Sequence, residues 1–256
     1  MIRPSSSNKA SRERASASAP RGPVEVTVFS LERPLIITID GPAGTGKTTV
    51  AENLSRRLGV EMLDTGAMYR AAAAIALEQA IPSSEQERLC RAVRAAQVHF
   101  DWRAKPPRIE ANGRDYSDRI REEDVTRVVS EYAGVRALRE IMVEMQRKLA
   151  SEHPRLVTEG RDQGSVVFPE AKVKFYLTAT AAERARRRAA QLAKRGVRVD
   201  VEALRRDIEA RDASDRGRPY GALVCPDDAV VVDSTGLDED QTVDALYRIV
   251  MEKSRA

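Results

Sequence analysis

Residues 35–48 read LIITIDGPAGTGKT, an aliphatic and β-branched run that ends at Asp40 and passes straight into Gly41-x-x-x-x-Gly46-Lys47-Thr48. The run suits a buried strand, and TTVAENLSRRLG behind it (48–59) has helical spacing. Strand, glycine-rich loop and helix in that order make the phosphate-binding P-loop. Gly41, Gly44 and Gly46 lack a Cβ, so the backbone can take φ > 0 and turn successive N–H groups inward around an anion. Lys47 adds a point charge for the β and γ phosphates, Thr48 offers a hydroxyl to Mg²⁺, and the helix points its positive dipole end at the same place. The chain is therefore predicted to bind a nucleoside triphosphate through Gly41, Pro42, Ala43, Gly44, Thr45, Gly46, Lys47, Thr48 and Thr49. The loop alone does not separate kinases from GTPases, helicases or motor ATPases.

Outward from the loop, short apolar runs at 60–63 (VEML), 155–158 (RLVT), 172–177 (KVKFYL) and 229–232 (AVVV) are punctuated by Gly, Pro or Asp and read as buried parallel strands. Helical stretches lie between them, at 66–80, 135–150 and 182–196. The expected fold is α/β, a parallel sheet flanked by helices, with ligands at the carboxyl ends of the strands. Residues 97–117 break the rhythm. Their alternating residues, Pro106-Pro107 and the Asn112-Gly113 turn signal predict a small antiparallel insertion, with His99, Phe100 and Trp102 packing it.

A chain of 256 residues is long enough for one core domain without metal or disulfide support. No 18-residue apolar run predicts a membrane span. Cys90 and Cys225 are the only cysteines and no secretory segment is visible, which favours a reducing cytoplasm. The net charge is +4, but residues 1–34 hold six Lys or Arg against three Glu, so the folded part is nearly neutral and no nucleic-acid partner is expected for it. Residues 1–33, rich in Ser, Ala, Pro and Arg, are expected to form a disordered basic tail.

Phosphate chemistry needs further anchors. LDTGAMYR (63–70) places Asp64, Thr65, Tyr69 and Arg70 at the end of the second strand, and TEGRDQGSVVFP (158–169) places Glu159, Arg161 and Asp162 at the end of the third. Arg161 beside Asp162 in a glycine-flanked loop suits a ligand better than a turn. Arg211, Asp215 and Arg218 fall at i, i+4 and i+7, a spacing that also fits an intrahelical ion-pair ladder. Arg184, Arg186, Arg187 and Arg188 form a second basic cluster, for which a solvated face is the alternative.

Taken in order, IDGPAGTGKTT, LDTGAMYR, EGRDQGSVVFP, ERARRRAAQLAKRG, RDASDRGRP and VVVDSTGLD resemble the bacterial-type cytidylate (CMP) kinases, from about residue 35 to the end. The resemblance implies a nucleoside monophosphate kinase fold over residues 34–256, with the antiparallel insertion of the acceptor-binding part at about 92–127 and a short lid at about 182–200. It implies ATP with Mg²⁺ as phosphoryl donor, CMP and dCMP as acceptors, and a monomer. Carried over position by position, Thr65, Tyr69, Arg70, Ser130, Arg136, Arg161, Asp162, Arg211, Asp215 and Arg218 would bind CMP, and Lys47, Arg187 and Arg188 would act on the transferring group. Two departures stand out: the Ser130-to-Arg136 interval is short, and Gln163 occupies a position that is generally apolar. The rival readings are a kinase of another monophosphate, a kinase of a hydroxyl acceptor with Asp64 as base, and a P-loop switch.

Overall fold

The computed structural model describes residues 34–104, 107–194 and 196–255. The predicted tail lies outside them. Five strands, β1 (Leu35–Asp40), β2 (Glu61–Asp64), β6 (Arg155–Gly160), β7 (Val173–Thr178) and β8 (Val230–Asp233), form one sheet in the order β2-β6-β1-β7-β8. Every pairing is parallel. All five coincide with the apolar runs read above; β1, β6 and β7 are enclosed by neighbours, which is why their runs are near-continuous, whereas the edge strand β8 leaves Val231 exposed. Asp40 pairs with Gly160 and Asp64 with Glu159, so the carboxyl ends of β1, β2 and β6 finish side by side.

Helices α1 (Lys47–Leu58), α2 (Thr65–Glu78), α3 (Gln86–Ala95), α4 (Glu123–Tyr132), α5 (Arg136–Glu152), α6 (Ala181–Ala193), α7 (Val201–Arg216) and α8 (Glu239–Arg255) complete the described order, with β3 (His99–Asp101), β4 (Arg108–Ala111) and β5 (Arg114–Asp115) between α3 and α4. Helix α2 is the centre of the main core. Ala71 to Ala76 are all fully buried, and small side chains let neighbouring elements close on this helix from every side.

β3, β4 and β5 form the antiparallel sheet expected of residues 97–117. Its β4–β5 turn is Asn112-Gly113, both at positive φ (53° and 67°), the backbone that makes this dipeptide favourable. Trp102 fixes this sheet to the main one. Its indole N–H donates to the Met62 carbonyl (2.7 Å), and its ring lies 5.5 Å from that of Phe100 and 4.2 Å from that of His153. His153 in turn faces Glu61 (2.5 Å) at this junction, while His99 faces Glu110 (3.2 Å) within the small sheet. Among the described residues no helix is long and apolar enough to cross a membrane.

Candidate active site

The P-loop lies at the carboxyl edge of the sheet. Gly41 starts it flat against β7, where a Cβ would overlap the Leu177 carbonyl, so only glycine fits. Gly44 and Gly46 follow at φ 79° and 87°. Pro42 supplies a carbonyl that accepts from the Thr45 hydroxyl (3.2 Å) and from the Lys47 ammonium (2.8 Å), which is folded back over the loop and buried. Burial first, then the charge of Arg161, pulls the Lys47 pKa down to about 7, against the opposing pull of Glu159, Asp40 and Asp215. Thr48 and Thr49 sit in the first turn of α1, and the Thr48 hydroxyl donates to Glu159 Oε1 (3.0 Å). Burial, then Asp64, raises the Glu159 carboxyl above its usual range.

Asp40 ties this loop to the next. Its two carboxylate oxygens accept from the consecutive amides of Gln163 (2.9 Å) and Gly164 (2.7 Å), which open a π-helical turn at Gln163–Val167. Burial raises the Asp40 pKa to about 7 despite these two bonds. The polar Gln163 side chain is itself fully buried and satisfied. It accepts from the Thr158 hydroxyl (2.8 Å) and donates to Gln146 (3.1 Å), so the polar residue at this position is answered by polar partners on β6 and α5.

Across the cleft the predicted acceptor residues converge. Thr65 donates its hydroxyl to the Glu159 carbonyl (2.7 Å). Asp64 caps α2 by accepting from the Ala67 amide (2.8 Å) and pairs with Arg70 (3.3 Å). Asp215 lies between two arginines, with Arg161 at 2.8 Å and Arg218 at 2.6 Å. Burial works to raise its pKa, but those two cations hold the carboxyl below its usual range. Arg218 stands past the end of α7 rather than on its face, because the helix stops at Arg216; it reaches back to Asp215 from the following loop. Arg211 makes no ion pair among the described residues. Although Arg211 stays open to solvent, partial desolvation at the cleft wall, then the crowding of Arg161, Arg70 and Arg218, pushes its pKa down, while Asp215 opposes this. Arg70, Arg161, Arg211 and Arg218 thus meet Asp64 and Asp215 here.

The sequence model of cytidylate kinases matches residues 37–252. The chain belongs to the cytidylate kinase family. Relatives include the cytidylate kinase of Mycolicibacterium paratuberculosis, 41% identical over 220 residues, which are 86% of this chain and 96% of that one. That of Caldanaerobacter subterraneus subsp. tengcongensis is 39% identical over 219 residues, with the same coverage. That of Bordetella pertussis is 39% identical over 211 residues, or 82% of this chain and 92% of that one.

Within this cytidylate kinase framework, two arginines of α5 one turn apart face different ways. Arg136 is the first residue of α5, largely exposed and paired with Glu140, with the Tyr220 ring 5.7 Å from its guanidinium. One turn further on, Arg139 points inward. It is 2% exposed, forms an ion pair with Asp162, donates to the Ala133 carbonyl (3.1 Å) and lies 5.2 Å from the Tyr69 ring. Burial raises the Tyr69 phenol pKa beyond its ordinary value. Gly221 (φ 64°) passes so close that a Cβ would overlap both the Arg139 guanidinium and the Asp162 carboxylate. Ser130 itself is half-buried on α4. The helical spacing of Arg139, Met142, Gln146 and Leu149, all buried, was the signal for this inward face.

The lid arginines also divide. Arg187 is built into the junction of α6 with the loop after β8, donating to the carbonyls of Ser234 (2.5 Å) and Leu237 (3.3 Å) and pairing with Glu183 (2.8 Å). Arg188 is exposed, its hydrogen bond being to Gln191 at 3.5 Å. Arg184, given no role in the sequence reading, is buried against the P-loop.

Proposed function

We propose that this chain transfers the γ-phosphoryl group of ATP to CMP and dCMP, giving ADP with CDP or dCDP. The observation that carries this reading is the meeting of the P-loop lysine with the arginine-rich cleft formed by Arg70, Arg139, Arg161, Arg211 and Arg218. A phosphate acceptor has a second pKa of about 6 and is mostly dianionic at pH 7, so it needs no base to remove a proton. Positioning and charge neutralisation are then the task. In this scheme Arg161, Arg211 and Arg218 hold the acceptor phosphate, Asp162 and Arg139 hold the nucleoside with Thr65 and Tyr69, and Lys47 moves from the Pro42 carbonyl onto the ATP phosphates. Residues 92–127 supply the acceptor-binding insertion and 182–200 the lid, whose Arg188 is free to swing toward the transferring group.

The Mg²⁺ expected with ATP fits the residues present. Thr48 and Glu159 place a hydroxyl and a carboxylate 3.0 Å apart at the mouth of the P-loop, and Mg²⁺ is commonly held by one or two such oxygens with water and substrate phosphates completing the shell. The ion supplies charge neutralisation at the β and γ oxygens. We further propose a monomer, with the site built from one chain, acting in the cytoplasm, where the thiols of Cys90 and Cys225 stay free.

A hydroxyl-acceptor kinase is the less favoured reading, because Asp64, the base it would need, already caps α2 and pairs with Arg70. Measuring ADP release against CMP, dCMP, UMP, AMP, shikimate and gluconate tests the choice. CMP and dCMP should give the highest kcat/KM; preferential turnover of a hydroxyl acceptor would overturn the proposal.

A further inference from the structure

The P-loop is gripped by the two lid-side helices at one residue, Ala43, through the peptide units on either side of it. The Ala43 amide donates to Asp212 Oδ1 (3.2 Å), and the Ala43 carbonyl accepts from Arg184 Nη1 (2.9 Å). The two side chains close on each other, Arg184 Nη1 lying 2.7 Å from Asp212 Oδ2, with only 6% and 2% of their side-chain surface exposed. Arg184 Nε donates to the Ala179 carbonyl (3.0 Å), so the guanidinium is held at three points. A Cβ on Gly44 would lie 3.5 Å from Arg184 Cβ, so the loop backbone runs in close contact with α6.

Asp212 is the immediate neighbour of Arg211 and one turn from Asp215, on the helix that carries the acceptor-side charges. The same rigid element therefore presents Arg211 and Asp215 to one cleft and Asp212 to the loop of the other. We propose that Arg184 and Asp212 are positioning residues that couple the two substrate sites, so that filling the acceptor cleft sets the P-loop in its ATP-binding geometry. A helix pulled onto an acceptor phosphate through Arg211 moves Asp212 with it, and the Ala43 peptide follows. Coupling of this kind is reciprocal, so ATP must tighten CMP by the factor by which CMP tightens ATP. The pair touches neither phosphate; it acts through Ala43. The inference rests on the CMP kinase reading above.

Breaking one half of a buried ion pair leaves the other charge uncompensated and endangers folding, so the informative variant removes both charges, Arg184→Met with Asp212→Leu. Calorimetry would measure the Kd of a non-hydrolysable ATP analogue with and without saturating CMP, and of CMP with and without the analogue. In the wild type each ligand should tighten the other by about fivefold or more, a typical coupling. In the double variant that factor should fall to within about twofold of unity and kcat should drop, while CMP alone still binds. Retained coupling in a folded double variant, or no coupling in the wild type, would overturn the proposal. Failure of the wild type to bind CMP at all would instead sink the functional reading on which it stands.

Discussion

Lys47 shows how far a single residue departs from its ordinary chemistry before substrate arrives. Its buried ammonium rests on the Pro42 carbonyl with its pKa near 7. ATP phosphates replace that carbonyl with negative charge, which returns the pKa toward the usual lysine value. ATP binding at pH 8 should therefore take up a proton, approaching one per site, and calorimetry in buffers of different ionisation enthalpy would show it. The uptake should shrink at pH 6, where Lys47 is already charged. In the nucleotide-free protein this buried charge costs stability in full below pH 7, and the cost is relieved as pH rises from about 7 toward the ordinary lysine range, where the unfolded chain also loses its proton. Lys47→Ala should abolish transfer without loss of fold, read in a coupled ADP assay alongside circular dichroism. The neighbouring arginines give a sharper contrast. Arg139→Ala should weaken CMP binding by tenfold or more and, by leaving the buried Asp162 carboxylate uncompensated, should also lower Tm, so affinity is read on protein shown to be folded by circular dichroism. Arg136→Ala, which removes an exposed i,i+4 pair, should change it less than about threefold. Equal effects would show that the inward turn of α5 does not mark the acceptor site.

At the scale of an element, α6 assigns different work to successive arginines of one basic run. Thr180 caps the helix by accepting from the Glu183 amide (3.3 Å), and Glu183, a first-turn acid, pairs with both Arg186 and Arg187. The Arg186 hydrogen bond, then those of Arg187, lower the Glu183 pKa to about 2 against desolvation. Arg187→Ala should cost about 1–3 kcal/mol from its lost carbonyl bonds, a fall in Tm of several degrees. Arg188→Ala should leave Tm unchanged and instead lower kcat more than it raises either KM, a loss felt mainly in the transition state. A kinetically silent Arg188 variant would remove the lid from the chemistry. The sequence showed a dense basic cluster here. It could not show which arginine faces the loop after β8, which faces solvent and which faces the P-loop, because residues one to four apart on a helix point in directions fixed only by what packs around them.

Over the whole molecule, deletion of residues 1–30 should leave kcat and both KM values within about twofold, since their composition offers little apolar surface to bury on another part of the chain. A larger change would mean that the basic segment contributes to catalysis. The strands of the main sheet and half of the helices were legible in the chain itself, as were the P-loop and the small antiparallel insertion. Those features are local: glycine placement, hydrophobic period and the Asn112-Gly113 turn act over a few residues. The charges that meet in the cleft were named individually too, but not their partners. Asp215 was grouped with Arg211 and Arg218, and its contact with Arg161, 54 positions earlier, was not foreseen. Asp40 was read as the end of a strand, as it is, and it also holds the amides of Gln163 and Gly164. Arg139 was hidden one turn behind Arg136, and the grip of Arg184 and Asp212 on Ala43 spans 141 and 169 positions. The sequence by itself determined the donor loop, the alternating architecture and the family. Only the tertiary structure decided which charges face one another, because an ion pair is set by distance in space and by the water its surroundings exclude, and neither is a property of neighbouring residues.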